Sequence, residues 1–120
     1  MKNIKLFEIY SAKTLGLLYG HYPVPKSFNY YDFIDEGDME EFLNSAVNAY
    51  YTIKELRKNG LLEYESLSDE GEVKNALLTL KGVETLKKDT MGEKLKQALK
   101  IGKEEFIKTA VGKILTAVTA

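Results

Sequence analysis

The sequence predicts an α+β domain that is mostly helical. Apolar residues recur at spacings of three and four along most of the chain, which is the pattern of helices packed on a core. One polar cluster at residues 68–72 separates two short apolar runs, and this arrangement indicates a β-hairpin. With 120 residues, 44% of them apolar, the chain is long enough to bury a core of its own.

The first helix is predicted over residues 4–18. It must end by Gly20, because Pro23 and Pro25 follow and remove backbone donors. A short second helix is predicted over residues 29–35.

The third helix is predicted over residues 38–59. Asp38 can cap its first turn, with Glu41 three residues later, and Gly60 suits a left-handed C-terminal cap. The apolar residues that recur along this helix predict its core face. They are Phe42, Leu43, Ala46, Val47, Tyr50, Ile53 and Leu56.

The hairpin strands are predicted at residues 61–65 and 73–78. Thr79 can cap a following helix over 79–88. Thr90 and Glu93 form the pattern of a capping box for the next helix, which Gly102 ends. A last helix is predicted from residue 103 onward.

Two stretches carry a resemblance to a known family. Residues 53–62 look like the end of a third helix that enters a wing strand, and residues 77–86 contain a Leu-Thr-x-Lys-Gly junction from strand to helix. From residue 4 to residue 88 the chain therefore resembles small prokaryotic winged helix-turn-helix proteins, including bacterial and prophage proteins. The resemblance implies a winged helix (three helices and a β-hairpin wing) over 1–88. Residues 89–120 would add two C-terminal helices to the same domain. The resemblance implies no particular activity, because proteins that share a fold can differ in function.

Charge separates two classes of binding function. The net charge is −1, and it is distributed as −1 over residues 1–60 (7 basic, 8 acidic), −3 over 61–91 (4 and 7) and +3 over 92–120 (6 and 3). No Lys or Arg lies between Ser27 and Thr52, whereas six acidic residues do. DNA affinity depends on cations that contact phosphates, so this region favours a protein partner that meets an acidic face. The residues predicted for that contact are Tyr31, Asp35, Glu36, Glu40 and Glu41.

A DNA-binding transcriptional regulator of bacterial or phage origin is the alternative. In winged-helix regulators the third helix enters the major groove and the wing reaches phosphates. The residues that would contact DNA in this way are Asn44, Ser45, Asn48, Tyr51, Lys54, Arg57, Lys58 and Lys74.

The last helix is open to three interpretations. It could pair two copies of the chain, pack on its own domain beside the first helix, or lie on a membrane surface, although Glu104 and Glu105 weaken its cationic face. The prediction adopted is a homodimer helix. Its contact residues would be Phe106, Ile107, Ala110, Val111, Ile114, Leu115 and Val118.

Catalysis finds little support in the sequence. The chain has no cysteine and a single histidine, His21, so it lacks Cys-based and multi-histidine metal sites. It also lacks a Gly-rich phosphate loop and a Gly-x-Ser-x-Gly motif. We therefore expect a non-catalytic, cytoplasmic binding module with no cofactor, no metal, no small-molecule ligand and no membrane association.

Overall fold

The computed structural model describes residues 2–35 and 37–119. Within these ranges the chain forms five α-helices, four β-strands and two 3-10 turns, which confirms the mostly helical α+β class. The elements in chain order are α1 (Lys2–His21), β1 (Lys26–Asn29), a 3-10 turn (Tyr30–Phe33), α2 (Met39–Lys58), β2 (Leu62–Glu63), β3 (Ser66–Leu67), β4 (Glu72–Leu78), α3 (Leu80–Lys87), a 3-10 turn (Lys88–Thr90), α4 (Met91–Ile101) and α5 (Glu104–Thr119).

Strand β4 is the centre of a small antiparallel sheet. It pairs with β1 on one side, where Phe28 lies opposite Val73, and with β2 and β3 on the other. The predicted strand 61–65 is therefore shorter than expected, because only Leu62–Glu63 (β2) lie within it. Strand β3 follows at Ser66–Leu67 as a second strand with the same partner. Helix α1 contacts α2, α4, α5 and β4, so it forms the middle of the core. Leu15 and Leu18 of α1 are buried there.

The predicted short helix over 29–35 is confirmed in part. It is a single 3-10 turn over Tyr30–Phe33, and it follows strand β1 (Lys26–Asn29), which was not predicted. The Asn29 side chain accepts a hydrogen bond from the Tyr31 amide, and the Tyr30 amide donates to the Gly71 carbonyl. The first hydrogen bond caps the 3-10 turn, and the second ties its first residue to the hairpin.

The predicted cap of α4 is also wrong. Thr90 has a left-handed backbone, with φ of 55°, and its side chain makes no capping hydrogen bond. Its hydroxyl donates to the neighbouring Asp89 carbonyl. Just after these two residues, Gly92 at the start of α4 lies so close to the ring of Tyr19 that a Cβ atom would overlap it.

Helix α5 packs on its own domain. It contacts α1 and α4, and its residues Ile107, Val111 and Ile114 are buried. The prediction that these three side chains meet a second copy is therefore wrong, because the chain's own core covers them. Of the remaining dimerisation candidates, Ala110, Leu115 and Val118 are half-buried against that core, and Phe106 is 47% exposed.

Tyr30 connects the hairpin turn to the core, because its ring is buried and its hydroxyl bonds to the turn. Its ring is 1% exposed and its hydroxyl donates to the Ser68 carbonyl at 2.8 Å. Burial is the main cause that raises the pKa of Tyr30 to about 12. The folded pKa therefore lies above the unfolded value of about 10. The stability that depends on the neutral phenol is complete below pH 10 and is lost as the pH rises towards 12.

The variant Tyr30→Phe tests this assignment. At neutral pH we expect it to lower the free energy of unfolding by about 1 kcal/mol, because one hydrogen bond is lost. Between pH 10 and 12 the wild type should lose up to about 3 kcal/mol more than the variant, which has no phenol at position 30 to ionise. Urea unfolding at several alkaline pH values measures both. If the free energy of unfolding fell equally with rising pH in the two proteins, the assignment of a buried, neutral phenol at Tyr30 would be wrong.

Candidate functional site

Helix α2 begins and ends at the residues that the sequence predicts, Asp38 and Gly60. Oδ1 of Asp38 accepts a hydrogen bond from the Glu41 amide at 2.8 Å, so Asp38 is the N-terminal cap that the sequence predicts. The helix is followed by Gly60, whose φ of 78° ends it. One side of α2 packs against α1 and β2 through Ala49, Ile53 and Leu56.

The opposite side of α2 exposes apolar side chains. Leu43 is 56% exposed, Val47 55% and Tyr51 61%, and Met39 in the first turn is also exposed. Glu40 and Lys54 are exposed at the two ends of this row. We call the set Glu40, Leu43, Val47, Tyr51 and Lys54 the α2 outer stripe.

The prediction that Leu43 and Val47 lie in the core is wrong. Apolar residues lie on both sides of α2, so their spacing could not distinguish the inner side from the outer side. The polar residue Thr52, in contrast, is buried, with its hydroxyl donating to the Asn48 carbonyl at 2.7 Å. The hydroxyl thus satisfies its hydrogen bond within the helix and can face the core.

The three polar residues of α2 that were candidates for base contacts differ in how far they are available to a partner. Ser45 is half-buried and faces Tyr10 of α1. The side-chain amide of Asn48 donates to the Asn44 carbonyl at 2.8 Å, so part of its donor capacity is used within the helix. Asn44 itself is exposed beside the outer stripe.

The basic candidates lie near the end of α2 and on the hairpin. Nζ of Lys54 lies 5.3 Å from the centre of the Tyr50 ring and 5.7 Å from that of Tyr51. Lys58 is exposed. Lys74 on β4 lies 3.7 Å from the Glu72 carboxylate, which offsets its charge.

Arg57 is directed towards the hairpin. Its guanidinium lies 4.4 Å from the centre of the Tyr64 ring and 3.4 Å from a carboxylate oxygen of Glu63. The hydrogen bond with Tyr64 is the main cause that raises the pKa of Arg57. Arg57 therefore joins α2 to the first half of the hairpin.

The acidic candidates divide into two groups. Asp35, Glu40 and Glu41 are exposed around the beginning of α2, whereas the Asp38 carboxylate caps the helix. Glu36 lies outside the described residues. The exposed carboxylates therefore border the outer stripe on the N-terminal side.

Tyr31 has a structural position. Its hydroxyl donates to the Asp69 carbonyl at 2.8 Å, and its ring meets that of Phe42 edge-on at 5.2 Å. These contacts hold the hairpin turn against α2. The ring is only half-exposed, so little of it is left for a partner.

A second surface feature is an open groove between α4 and α5. Lys88, Lys94 and Lys113 line it, together with Thr109, and Ile101 and Phe106 continue it towards the α4–α5 connection. In the described part of the chain, no three His, Cys, Asp or Glu side chains are grouped to hold a metal ion. None of the described helices has the length and apolar character needed to cross a bilayer.

Comparison with known proteins gives no relative for this chain. No protein-family model, curated protein or solved structure matches it.

Proposed function

We propose that the chain is a non-catalytic winged-helix module that binds a protein partner through the α2 outer stripe. The order helix, strand, turn, long helix and hairpin supports the winged-helix part of the proposal. In that interpretation α2 is the third helix of the winged helix. The short 3-10 element Tyr30–Phe33 takes the place of the second helix.

One observation carries the choice of a protein partner. Leu43, Val47 and Tyr51 are each more than half exposed in one row on the helix that regulators of this fold insert into DNA. Contiguous exposed apolar side chains with a polar rim mark protein interaction surfaces, and tyrosine is enriched there. The acidic surface at the beginning of the same helix also repels phosphates.

A DNA-binding regulator is the less favoured alternative. It would use Asn44, Tyr51, Lys54 and Lys58, which are all exposed on α2. Against it, Ser45 is turned towards Tyr10 and Arg57 towards the hairpin. The cations that remain lie at the C-terminal end of the helix, away from the helix N-terminus that usually approaches phosphates.

Site-specific photocrosslinking in cells that express the chain tests the proposal. The photoreactive residue p-benzoylphenylalanine replaces Val47 in one variant and Leu80 in a matched control, because Leu80 on α3 is 68% exposed but lies outside the stripe. We expect a discrete protein adduct at position 47 that is absent at position 80 and is lost when Tyr51→Lys is added. Mass spectrometry identifies the adduct. Equal adducts at both positions, or an adduct that nuclease removes, would contradict the proposal.

A further inference from the structure

The α2 outer stripe is symmetric along its own length. Its members follow one another at steps of three, four, four and three residues, so the stripe reads the same in spacing from either end about Val47. At about 100° per residue, all five lie within about 40° of one line along the helix. An acidic residue stands at one end and a basic residue at the other, with three apolar residues between them.

From this symmetry we infer that the partner is a second copy of this chain, bound with the two α2 helices antiparallel about a two-fold axis at Val47. The inference deepens the proposed function and depends on it. An antiparallel pair about this axis puts Val47 against its own copy and Leu43 beside Tyr51 of the partner subunit. It also puts Glu40 beside Lys54 of the partner subunit, and the two-fold axis generates this contact at two symmetric points. This is the self-complementary contact that a two-fold dimer requires.

Charge selects the antiparallel orientation. A parallel pair in the same register would place Glu40 against its own copy and Lys54 against its own copy, and both contacts are repulsive. At the C-terminal end, Lys58 continues the line of the stripe and is exposed. The exposed Glu55 lies to one side of that line, and its carboxylate accepts a hydrogen bond from the Asn59 side-chain amide at 3.3 Å. Antiparallel packing also sets each helix dipole against its opposite.

The expected association is weak and reversible. A single pair of helices buries less than the roughly 1,600 Å² of a standard protein interface. All five side chains of the stripe are exposed, so pairing needs no rearrangement of the core. We therefore expect a monomer–dimer equilibrium with a Kd in the micromolar range or above.

A charge-swap series measured by sedimentation equilibrium tests the pairing. Glu40→Lys and Lys54→Glu each place like charges together at two symmetric points, so each should raise the dimer Kd roughly 2- to 30-fold. The double variant restores opposite charges and should return the Kd towards the wild-type value. A double variant as weak as the two singles, or weaker, would overturn the antiparallel arrangement.

A second pair of variants tests the axis. Val47→Lys places two charges together on the two-fold axis and should abolish dimerisation. Leu80→Lys makes the same chemical change at an exposed site away from the stripe and should leave the Kd unchanged. Circular dichroism of each variant checks that the monomer is folded, which keeps a loss of dimer distinct from a loss of fold.

The two proposals fail in different ways. A wild-type chain that stays monomeric up to millimolar concentration overturns the second-copy inference. If Val47 then crosslinks to a different protein, the proposed function stands and the partner is that protein. If no protein is crosslinked at Val47, both proposals fall.

Discussion

Replacing Gly82 by alanine is expected to lower the free energy of unfolding by about 3 kcal/mol, in the upper range for overpacking at a rigid site. A Cβ atom at this position would overlap the Leu61 carbonyl oxygen. That carbonyl accepts the hydrogen bond of the Thr79 amide at 3.0 Å, so it is held where the first half of the hairpin meets the start of α3. Relief of the clash would therefore disturb both the strand end and the helix cap.

Gly112→Ala is the matched control for this prediction. Gly112 lies in α5, and a Cβ there meets open space. Because alanine is the better helix former, this variant should be more stable than the wild type by about 0.5–1 kcal/mol. Urea unfolding followed by circular dichroism measures both. If Gly82→Ala were as harmless as Gly112→Ala, the close approach of α3 to the Leu61 backbone would be incorrect.

Truncation of Ile114 to alanine is expected to lower the free energy of unfolding by about 2–5 kcal/mol. The Ile114 side chain is fully buried on α5, which packs against α1 and α4, and the truncation leaves a cavity. The effect should be the same at low and high protein concentration, because the contacts are made within one chain.

Phe106→Ala separates this account from a dimer made by α5. Phe106 lies on the same helix but is 47% exposed, so its loss should lower stability by only about 1 kcal/mol. A destabilisation by Ile114→Ala that grew with protein concentration would indicate that α5 pairs two copies. Chemical unfolding over a wide range of concentrations decides between the two.

Local signals in the sequence predicted where several elements begin and end. Asp38 and Thr79 cap α2 and α3 with the hydrogen bonds expected of them. Gly60 and Gly102 both adopt the left-handed backbone expected after a helix. These features depend on residues within one turn of each other, so the sequence alone contains the information.

Features that depend on distant residues could not be predicted in the same way. Strand β1 exists because Phe28 meets Val73, 45 residues along the chain, and nothing next to Phe28 indicates that partner. Asp89 and Thr90 take positive φ angles directly before α4, where Gly92 lies against the Tyr19 ring of α1. A capping-box pattern is too short to contain information on that distant contact.

The candidate site was found only in part for a related reason. The sequence identified Tyr51, Lys54 and Glu40 as surface residues of α2, and they are exposed. It missed Leu43 and Val47, because an apolar residue on a long amphipathic helix is normally assigned to the core. The signal that could have found them is a second row of apolar residues on α2. A helix that packs on a core with one side needs only one such row, so the second row indicates an exposed apolar surface.

The most direct test of the account is the exposure of Val47 in the monomer. The chain has no cysteine, so Val47→Cys and Ile53→Cys each introduce a single thiol on opposite sides of α2. In dilute solution, we expect a maleimide to label the thiol at position 47 nearly as fast as a thiol in an unfolded peptide. The thiol at position 53 should react only when the chain opens, and therefore orders of magnitude more slowly. Equally slow labelling at both positions would place Val47 in the core and contradict the docking stripe.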